Sequence, residues 1–398
     1  MRDATMNAEK MGISNRKAVF QLIRNAPDIS RKRLSESTGL DPSTISRIVS
    51  SFRRQGYVKE AGVNRSESPG RSSIRLSVVK EAAVSYLISL GVEKTILGLG
   101  FLDHTIEKIA EFSTPQNFNS FLRILAEKIE SHYQKYPAKS RIIALSFSLP
   151  GIIDRKNRYI YNLPHLGWTG INLREAVETS LDKMKVEILT ANEAQLSLMA
   201  ERYQNETMAP YKNGFYLFLS QGIGGAILSE GELYMGRSFS AGEAGHMRID
   251  KNGAVCQCGG RGCLETLAAI EPVVKDYERK GSVLTGANTI EKFRTLITRY
   301  NQNEPLAVDE LSAMQEYMVI GITNIANLLN PEFLMIGGMG YDLPEEWTTI
   351  LENRVKKEAL TSAGNQFKIL RATMDIHDST LLGSDLLAMD YFTEKNIR

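Results

Sequence analysis

The chain has 398 residues, of which 42% are hydrophobic and 24% are charged, and its formal net charge is +2. This length is typical of two or three domains, and the hydrophobic content is ample for buried cores. The first ten residues contain no apolar signal core, and no later apolar run is long enough to span a bilayer. The sequence therefore predicts a cytoplasmic protein with no membrane partner, and it argues against secreted and membrane classes.

The small net charge hides an uneven distribution of charged residues. Residues 1–80 hold 16 Lys or Arg and 7 Asp or Glu, a net charge of +9, so the remainder of the chain carries −7. A basic segment next to an acidic body is typical of a protein whose first part meets a polyanion, although such a bias also serves solubility.

The basic segment has the pattern of three short helices followed by two strands. Apolar residues at helical spacing predict a first helix over 15–25, and capping and breaking residues predict two further helices over 31–39 and 42–55. Residues 56–60 and 71–76 alternate as two strands joined by a polar loop. A helix, a short turn, a second helix and a strand pair predict a winged helix-turn-helix.

In this geometry the third helix enters the major groove of DNA, so its first turns face base edges and phosphates. Nearby arginines are expected to neutralise backbone charge. The predicted DNA-binding residues of this domain, which we place at residues 1–80, are Ser43, Thr44, Ser46, Arg47, Arg53, Arg54, Arg65 and Arg71. A small helical bundle used for protein contact has a similar pattern, but the wing and the charge favour double-stranded operator DNA.

Beyond residue 80, the apolar pattern is that of an α/β body. Strands are predicted at 84–90, 95–102, 141–149, 187–190, 214–219 and 333–336, and helices at 118–135, 193–203, 306–329 and 379–394. Two glycine-bearing turns, at 220–225 and 337–340, directly follow strands. Such turns can cradle phosphates, but tight packing explains most of them.

All three cysteines of the chain, Cys256, Cys258 and Cys263, lie within eight positions, shortly after His246. Three thiolates and one imidazole, brought together by intervening glycines, form a closed tetrahedral set that predicts one structural Zn²⁺ per chain. Free buried cysteines, or a disulfide between Cys256 and Cys263, remain alternatives. Reduced cysteines agree with a reducing compartment.

These motifs, in order, resemble those of the ROK family (repressors, open reading frames and kinases). The specific match is Glu243-Ala-Gly-His246 followed by Gly253-Ala-Val-Cys256-Gln-Cys258-Gly-Gly-Arg-Gly-Cys263-Leu-Glu265. Further similar segments are 149–151, 162–168, 192–194, 222–225, 330–331 and 337–338. The resemblance covers nearly the whole chain, and the winged helix is similar to that of the family's sugar-responsive regulators, such as its xylose and N-acetylglucosamine repressors.

The resemblance implies an actin-like, two-lobed sugar-kinase fold with a sugar in the cleft. The first lobe is expected at 81–195 with the helix at 375–398, and the second lobe, with the zinc site, at 196–374. By position, the family's sugar contacts correspond to Asn162, Asn192, Glu193, Glu243, His246 and Glu265. Carboxylate and amide groups suit a ring of hydroxyls, and the zinc would hold the loops that carry them. A surface carboxylate is the plainer interpretation of Glu243.

Two departures from the kinase pattern argue against catalysis. Kinases of this family carry Asp-x-Gly-Gly-Thr in the first hairpin turn, where this chain has Gly91-Val-Glu93-Lys94-Thr95, and their catalytic Asp is Glu193 here. A carboxylate facing the phosphates repels ATP, and a longer side chain misplaces the base.

We therefore expect no enzyme activity and no bound ATP. The expected protein is a transcriptional repressor of carbohydrate-utilisation genes, a homodimer or homotetramer, whose operator affinity is changed by a sugar or sugar-phosphate effector. The alternatives are an ATP-dependent ROK sugar kinase with an added DNA-binding domain, and a zinc-stabilised interaction scaffold.

Overall fold

The first part of the chain is a winged helix-turn-helix, as predicted. The computed structural model describes residues 2–64, 73–137, 141–181, 184–360 and 367–398. The first elements are α1 (Arg2–Asn25), β1 (Ile29–Ser30), α2 (Arg31–Thr38), α3 (Pro42–Arg54), β2 (Val58–Asn64) and β3 (Ser73–Val78). The three strands form an antiparallel sheet in the order β1-β3-β2, which packs beside the helices.

Local sequence explains where α2 and α3 begin. The Ser30 side chain accepts a hydrogen bond from the first turn of α2, and that helix ends at Gly39. The Asp41 carboxylate accepts from the backbone N–H groups of Ser43 and Thr44, both at 2.9 Å, at the start of α3. These caps satisfy donors that helix ends leave free, so they fix the turn between the two helices.

The predicted start of the first helix, at Asn15, was wrong, because α1 begins at Arg2. Residues 2–14 are rich in helix-favouring Ala, Met, Glu and Lys and contain no proline, so nothing stops the helix. The apolar spacing indicated only the part of α1 that packs against the rest of the winged helix-turn-helix. Of the predicted wing residues, Arg65 and Arg71 lie outside the described residues.

The body begins with a five-stranded sheet made of β4 (Val84–Leu90), β5 (Lys94–Phe101), β6 (Ile106–Ser113), β7 (Ile142–Leu149) and β11 (Glu187–Asn192). The strand order in this sheet is β11-β7-β4-β5-β6, and the helix α4 (Phe118–Lys135) connects β6 to β7. Strands β4, β5 and β6 form an antiparallel meander, whereas β7 and β11 run parallel to β4. Residues of β4 and β7 are almost entirely buried, which explains why both strands are largely apolar and contain no charged residue.

A small three-stranded sheet inserted after β7 was not predicted. It contains β8 (Ile152–Asp154), β9 (Tyr159–Leu163) and β10 (Trp168–Asn172) in the order β10-β9-β8, and α5 (Leu173–Ser180) follows. Trp168 is buried among Phe118 and Phe121 of α4, with ring centroids 5.2 and 5.1 Å away. This packing holds the insertion against the first sheet.

A second five-stranded sheet has the order β14-β13-β12-β15-β16. Its strands are β12 (Gly214–Leu219), β13 (Ile223–Ser229), β14 (Glu232–Tyr234), β15 (Phe333–Gly338) and β16 (Lys368–Arg371). Again the first three strands form a meander and the last two run parallel to the first. Both sheets therefore have the same topology, which is the duplicated arrangement expected of an actin-like, two-lobed fold.

Helices cover both sheets. They are α6 (Glu193–Gln204), α7 (Glu265–Ala268), α8 (Ile270–Arg279), α9 (Thr289–Asn301), α10 (Pro305–Leu329), α11 (Glu345–Glu358) and the C-terminal helix (Ile376–Asn396). The C-terminal helix packs on α6, β4 and β7, so the end of the chain lies against the first sheet. Among the described residues, the helices lack the long apolar stretch that a membrane span requires.

Candidate functional site

A cavity of about 520 Å³ lies between the two five-stranded sheets. The turn after β4 and the turn after β12 both line it, because the duplicated topology directs the first hairpin of each sheet to the same place. The six residues predicted to contact a sugar all line this cavity: Asn162, Asn192, Glu193, Glu243, His246 and Glu265. The fold thus brings together side chains that lie more than one hundred residues apart in sequence.

Asn192 and Glu193 are held at the start of α6. The Asn192 side chain accepts from the backbone N–H of Ala194 at 2.8 Å and donates to the carbonyl of Gly151 at 3.1 Å, so its amide is fixed in orientation. Burial, together with the nearby Glu243 carboxylate, raises the pKa of Glu193 to about 8. Near neutral pH this carboxyl group retains its proton and can both donate to and accept from a hydroxyl.

Glu243 and Glu265 line the cavity on the side of the second sheet, Glu243 from the loop after β14 and Glu265 from the start of α7. Glu265 accepts from the backbone N–H of Ile223 at 3.0 Å, which anchors one of its oxygens. Burial raises the pKa of Glu243, an effect that the neighbouring His246 opposes and Glu265 reinforces. A side chain at Gly245 would collide with the backbone of Ile223, so only glycine lets the Glu243 loop lie against β13.

The four predicted metal ligands come together beside these carboxylates. The Sγ atom of Cys256 lies 3.6 Å from Nδ1 of His246, and the Sγ atoms of Cys258 and Cys263 lie 3.7 Å apart. All four ligand atoms are within 4.8 Å of one another. Ligand atoms around a tetrahedral zinc ion, with Zn–S of about 2.3 Å, are separated by about 3.5 to 3.8 Å. The cluster therefore has the chemistry and dimensions of a metal site, and its cysteines form no disulfide.

Sequence reasoning missed His165, which also lines the cavity. This residue lies in a tight turn between β9 and β10, and its Nδ1 is 3.8 Å from a carboxylate oxygen of Glu271. A side chain at Gly222 would approach both Nε2 of His165 and Oε2 of Glu265, to 2.8 and 2.5 Å, so these two polar atoms flank the glycine. The sequence did contain a signal for this residue, because His165 belongs to the ROK-like segment at 162–168.

On the winged helix, the predicted reading residues lie at the exposed start of α3. Ser43, Ser46 and Arg47 are exposed and Thr44 is half-buried. The Ser43 and Thr44 hydroxyls donate to the Asp41 carboxylate at 2.5 and 2.7 Å. These bonds hold the pKa of Asp41 well below its usual range. Both hydroxyls are therefore left as acceptors, whereas the exposed Ser46 and Arg47 side chains of this face can donate.

The other two predicted arginines of α3 differ in whether they form an ion pair. Arg53 forms an ion pair with Glu60 at 2.7 Å, whereas Arg54 is exposed and lines a groove between α1 and α3. Arg16 and Arg47 line the same groove, and burial together with the Arg47 charge lowers the pKa of Arg16. Sequence reasoning missed Arg16, although it stands within the predicted first helix. Crowded cations of this kind favour an anionic partner.

Comparison with known proteins agrees with both parts of this description. Residues 85–391 match the model of the ROK family, and residues 14–59 match a model described as winged helix-turn-helix DNA-binding. The xylose repressor of Bacillus subtilis (strain 168) is similar to this chain, with 27% identity over 379 residues that cover 94% of each protein.

Two solved structures share the fold. A ROK family transcriptional regulator, described as a homologue of the Escherichia coli MLC protein, covers 97% of this chain and 98% of its own, with a TM-score of 0.77 and 22% identity. A ROK family glucokinase from Streptomyces griseus, in complex with glucose and AMPPNP, covers 77% of this chain and all of its own, with a TM-score of 0.67 and 19% identity. The family model matches well over half of the sequence. The chain therefore belongs to the ROK family, and a winged helix-turn-helix domain precedes its ROK region.

Proposed function

We propose that this protein is a sugar-responsive transcriptional repressor of carbohydrate-utilisation genes. The winged helix binds operator DNA, and a sugar bound in the cavity between the sheets changes that affinity. One observation carries the proposal: a single helix lies against the sensing cavity at one end and against the winged helix at the other. The similarity to a xylose repressor over 94% of both chains supports the repressor assignment.

The cavity suits a sugar because its polar groups match a ring of hydroxyls. Asn162 and Asn192 offer amides that both donate and accept, and Glu193, Glu243 and Glu265 offer carboxyl groups. Charge-assisted hydrogen bonds from sugar hydroxyls to carboxylates are the stronger kind. We assign these five residues and His246 to sugar binding.

The proposal includes one structural zinc ion per chain, held by His246, Cys256, Cys258 and Cys263. Zinc with four protein ligands supplies no open position for chemistry, so its part is to cross-link the two loops. Glu243 precedes the first ligand by three residues, and Glu265 follows the last by two. The ligands thereby fix the direction from which two sugar-binding carboxylates approach.

The C-terminal helix connects the two functions. Its first turns, with Asp375, His377 and Thr380, line the cavity. About 24 Å away along its axis, the ring of Phe392 packs against Phe20 of α1 and Tyr57, with centroids 6.1 and 5.2 Å apart. A helix moves as a rigid body over this length, so a shift at the cavity reaches the DNA-binding domain.

An ATP-dependent sugar kinase is the alternative within the same family. The first hairpin turn opposes it, because the Glu93 carboxylate accepts from the backbone N–H of Thr289 at 2.9 Å, at the start of α9. This carboxylate occupies a helix N-terminus, which is the kind of place where a phosphate binds. We therefore propose a binding protein without catalytic activity.

We propose that the repressor acts as a homodimer or homotetramer in the cytoplasm, where its operator lies. Winged helices of a dimer meet half-sites separated by whole turns of DNA, so a small change in their separation weakens both contacts together. The sugar shifts the population between the two arrangements by its difference in affinity for them.

The link through the C-terminal helix can be tested with Asp390→Asn. Asp390 forms a 3.2 Å ion pair with Arg24 of α1, whose side chain is almost fully buried. We expect the variant to bind sugar like the parent but to show a smaller change of operator affinity on sugar addition, measured by fluorescence anisotropy. Asp276→Asn removes an exposed pair of the same 3.2 Å length, with Arg279 within α8, and should respond like the parent. An undiminished response in Asp390→Asn would show that this contact transmits nothing.

Arg47→Ala tests the reading face. If Arg47 contacts a base, the specific operator should lose about 1 to 3 kcal/mol of binding free energy while affinity for random DNA changes little. Arg279→Ala, an exposed arginine of the body, is the control. Equal losses on operator and random DNA would reduce Arg47 to a phosphate contact.

A further inference from the structure

Acidic side chains outnumber basic ones in the lining of the cavity. Among the described residues that line it, eight are Asp or Glu and three are Lys or Arg. The acidic residues are Glu93, Glu111, Glu193, Glu243, Glu265, Glu291, Asp375 and Asp378. The part that contains Glu193, Glu243 and Glu265, which we call the sugar side, has no lysine or arginine among its described lining residues. All three cations lie on the other part, which we call the α9 side.

Each cation on the α9 side already has a carboxylate partner. The pairs are Lys94 with Glu111 at 3.2 Å, Lys108 with Asp378 at 3.2 Å, and Arg294 with Asp342 at 2.8 Å and with Asp375 at 3.5 Å. An anion that captured one of these cations would leave the former partner unpaired beside it, so the local charge would not become favourable.

Two helix N-termini on the α9 side of the cavity are also filled. At α9, Oε1 of Glu93 accepts from the backbone N–H of Thr289 at 2.9 Å. The side chain of Asn288 accepts from the backbone N–H of Glu291. The Glu291 carboxylate in turn accepts from the backbone N–H of Ala287. The second oxygen of Glu93, Oε2, is buried without a hydrogen-bond partner among the described residues, so no donor offsets its charge and it repels an anion nearby.

The C-terminal helix repeats this arrangement. Asp375 accepts from the backbone N–H groups of His377 and Asp378 at 2.8 and 3.2 Å. Burial lowers the pKa of His377 to about 4, so this imidazole is neutral at physiological pH and supplies no positive charge. Two helix N-termini that line the cavity thus carry an internal carboxylate in the place of a bound anion.

We propose that the effector is an uncharged sugar and that sugar phosphates are excluded, because the side chains of Glu93 and Asp375 occupy the positions that a phosphate would take. This inference rests on the proposed sugar-sensing function and names the class of ligand. The carboxylates discriminate by charge, since they repel a dianion and not a neutral sugar, whereas the cavity volume of about 520 Å³ is large enough for either ligand.

The test uses calorimetric titration of the full-length protein at low ionic strength. The probes are xylose, glucose and N-acetylglucosamine, each followed by its own phosphate ester. We expect at least one neutral sugar to bind and its ester to bind at least about tenfold more weakly, with the difference shrinking as salt screens the charges. In Glu93→Gln, which keeps the acceptor for Thr289 and removes the charge, the ratio of the two affinities should fall severalfold.

The matched control is Glu127→Gln, which removes one negative charge from an exposed ion pair on α4, away from the cavity, and should keep the parent ratio. Tighter binding of an ester than of its sugar overturns the inference and leaves sugar sensing intact. A parent ratio that persists in Glu93→Gln overturns the role of Glu93. Failure of every sugar and every ester to bind overturns the sensor proposal as well.

Discussion

Glu243→Gln is expected to yield a repressor that binds its operator like the parent protein and no longer responds to sugar. The substitution keeps the shape of the side chain and removes the charge that strengthens hydrogen bonds from sugar hydroxyls. Exchange of a charged acceptor for a neutral one lowers the contribution of such a bond from about 1.5–3 to about 0.5–1.5 kcal/mol, which weakens sugar binding roughly tenfold. The four metal ligands remain in place, and the winged helix lies far from the change.

The measurement is operator affinity with and without the sugar that acts on the parent. Coupling between two ligand sites is typically about 1 to 3 kcal/mol and works in both directions. The parent should therefore bind sugar differently when operator is present, and Glu243→Gln should show no response at that sugar concentration. Glu232→Gln, an exposed carboxylate on β14, is the control. A variant that responds like the parent would remove Glu243 from the sensor.

Cys258→Ser should have the second large effect, the joint loss of metal and of sugar binding. A serine hydroxyl is a poor zinc ligand, and structural zinc sites contribute on the order of 10 kcal/mol to the order of their loops. Without the ion, the loops that carry Glu243 and Glu265 lose their common anchor. Metal content should fall from about one zinc per chain to almost none, and the sugar-induced rise in melting temperature should disappear.

Gln257→Ser provides a matched control, because Gln257 is an exposed neighbour within the same loop and is not a ligand. It should retain both zinc and sugar binding. Full sugar binding by a zinc-free Cys258→Ser protein would show that the carboxylates are positioned without the metal. Retention of zinc by Cys258→Ser would show that Cys258 is dispensable as a ligand.

The sequence predicted the parts of the fold in which local signals are strong. Asp41 and Pro42 located the start of α3, and largely apolar runs without a charged residue located β4, β7 and β12, because strands buried on both faces have no charged face. The strand β6 was missed, since its mixture of charged and apolar residues resembles a surface loop. The short strands β8 to β10 depend on the packing of Trp168, which is a contact that no local pattern reveals.

The candidate site shows the same division. Cysteine spacing and the ROK-like motif predicted the metal ligands and six cavity residues, which the fold brings together. The occupied N-termini of α9 and the C-terminal helix were not predictable. Glu93 and Thr289 are separated by 196 positions, and their contact depends on how the two sheets are placed. Glu93 was recognised as a departure from the kinases, but its partner was not.

The shared core at the end of the chain has a consequence for building hybrid regulators. Ala388, Met389 and Phe392 of the C-terminal helix pack in the same hydrophobic cluster as Val19 and Phe20 of α1. The DNA-binding unit is therefore completed by residues more than three hundred positions away. A graft of the first eighty residues onto a foreign sensor would expose this apolar face to water. A hybrid that also exchanges the C-terminal helix would keep this apolar face covered. It would also keep the helix that links the cavity to the DNA-binding domain.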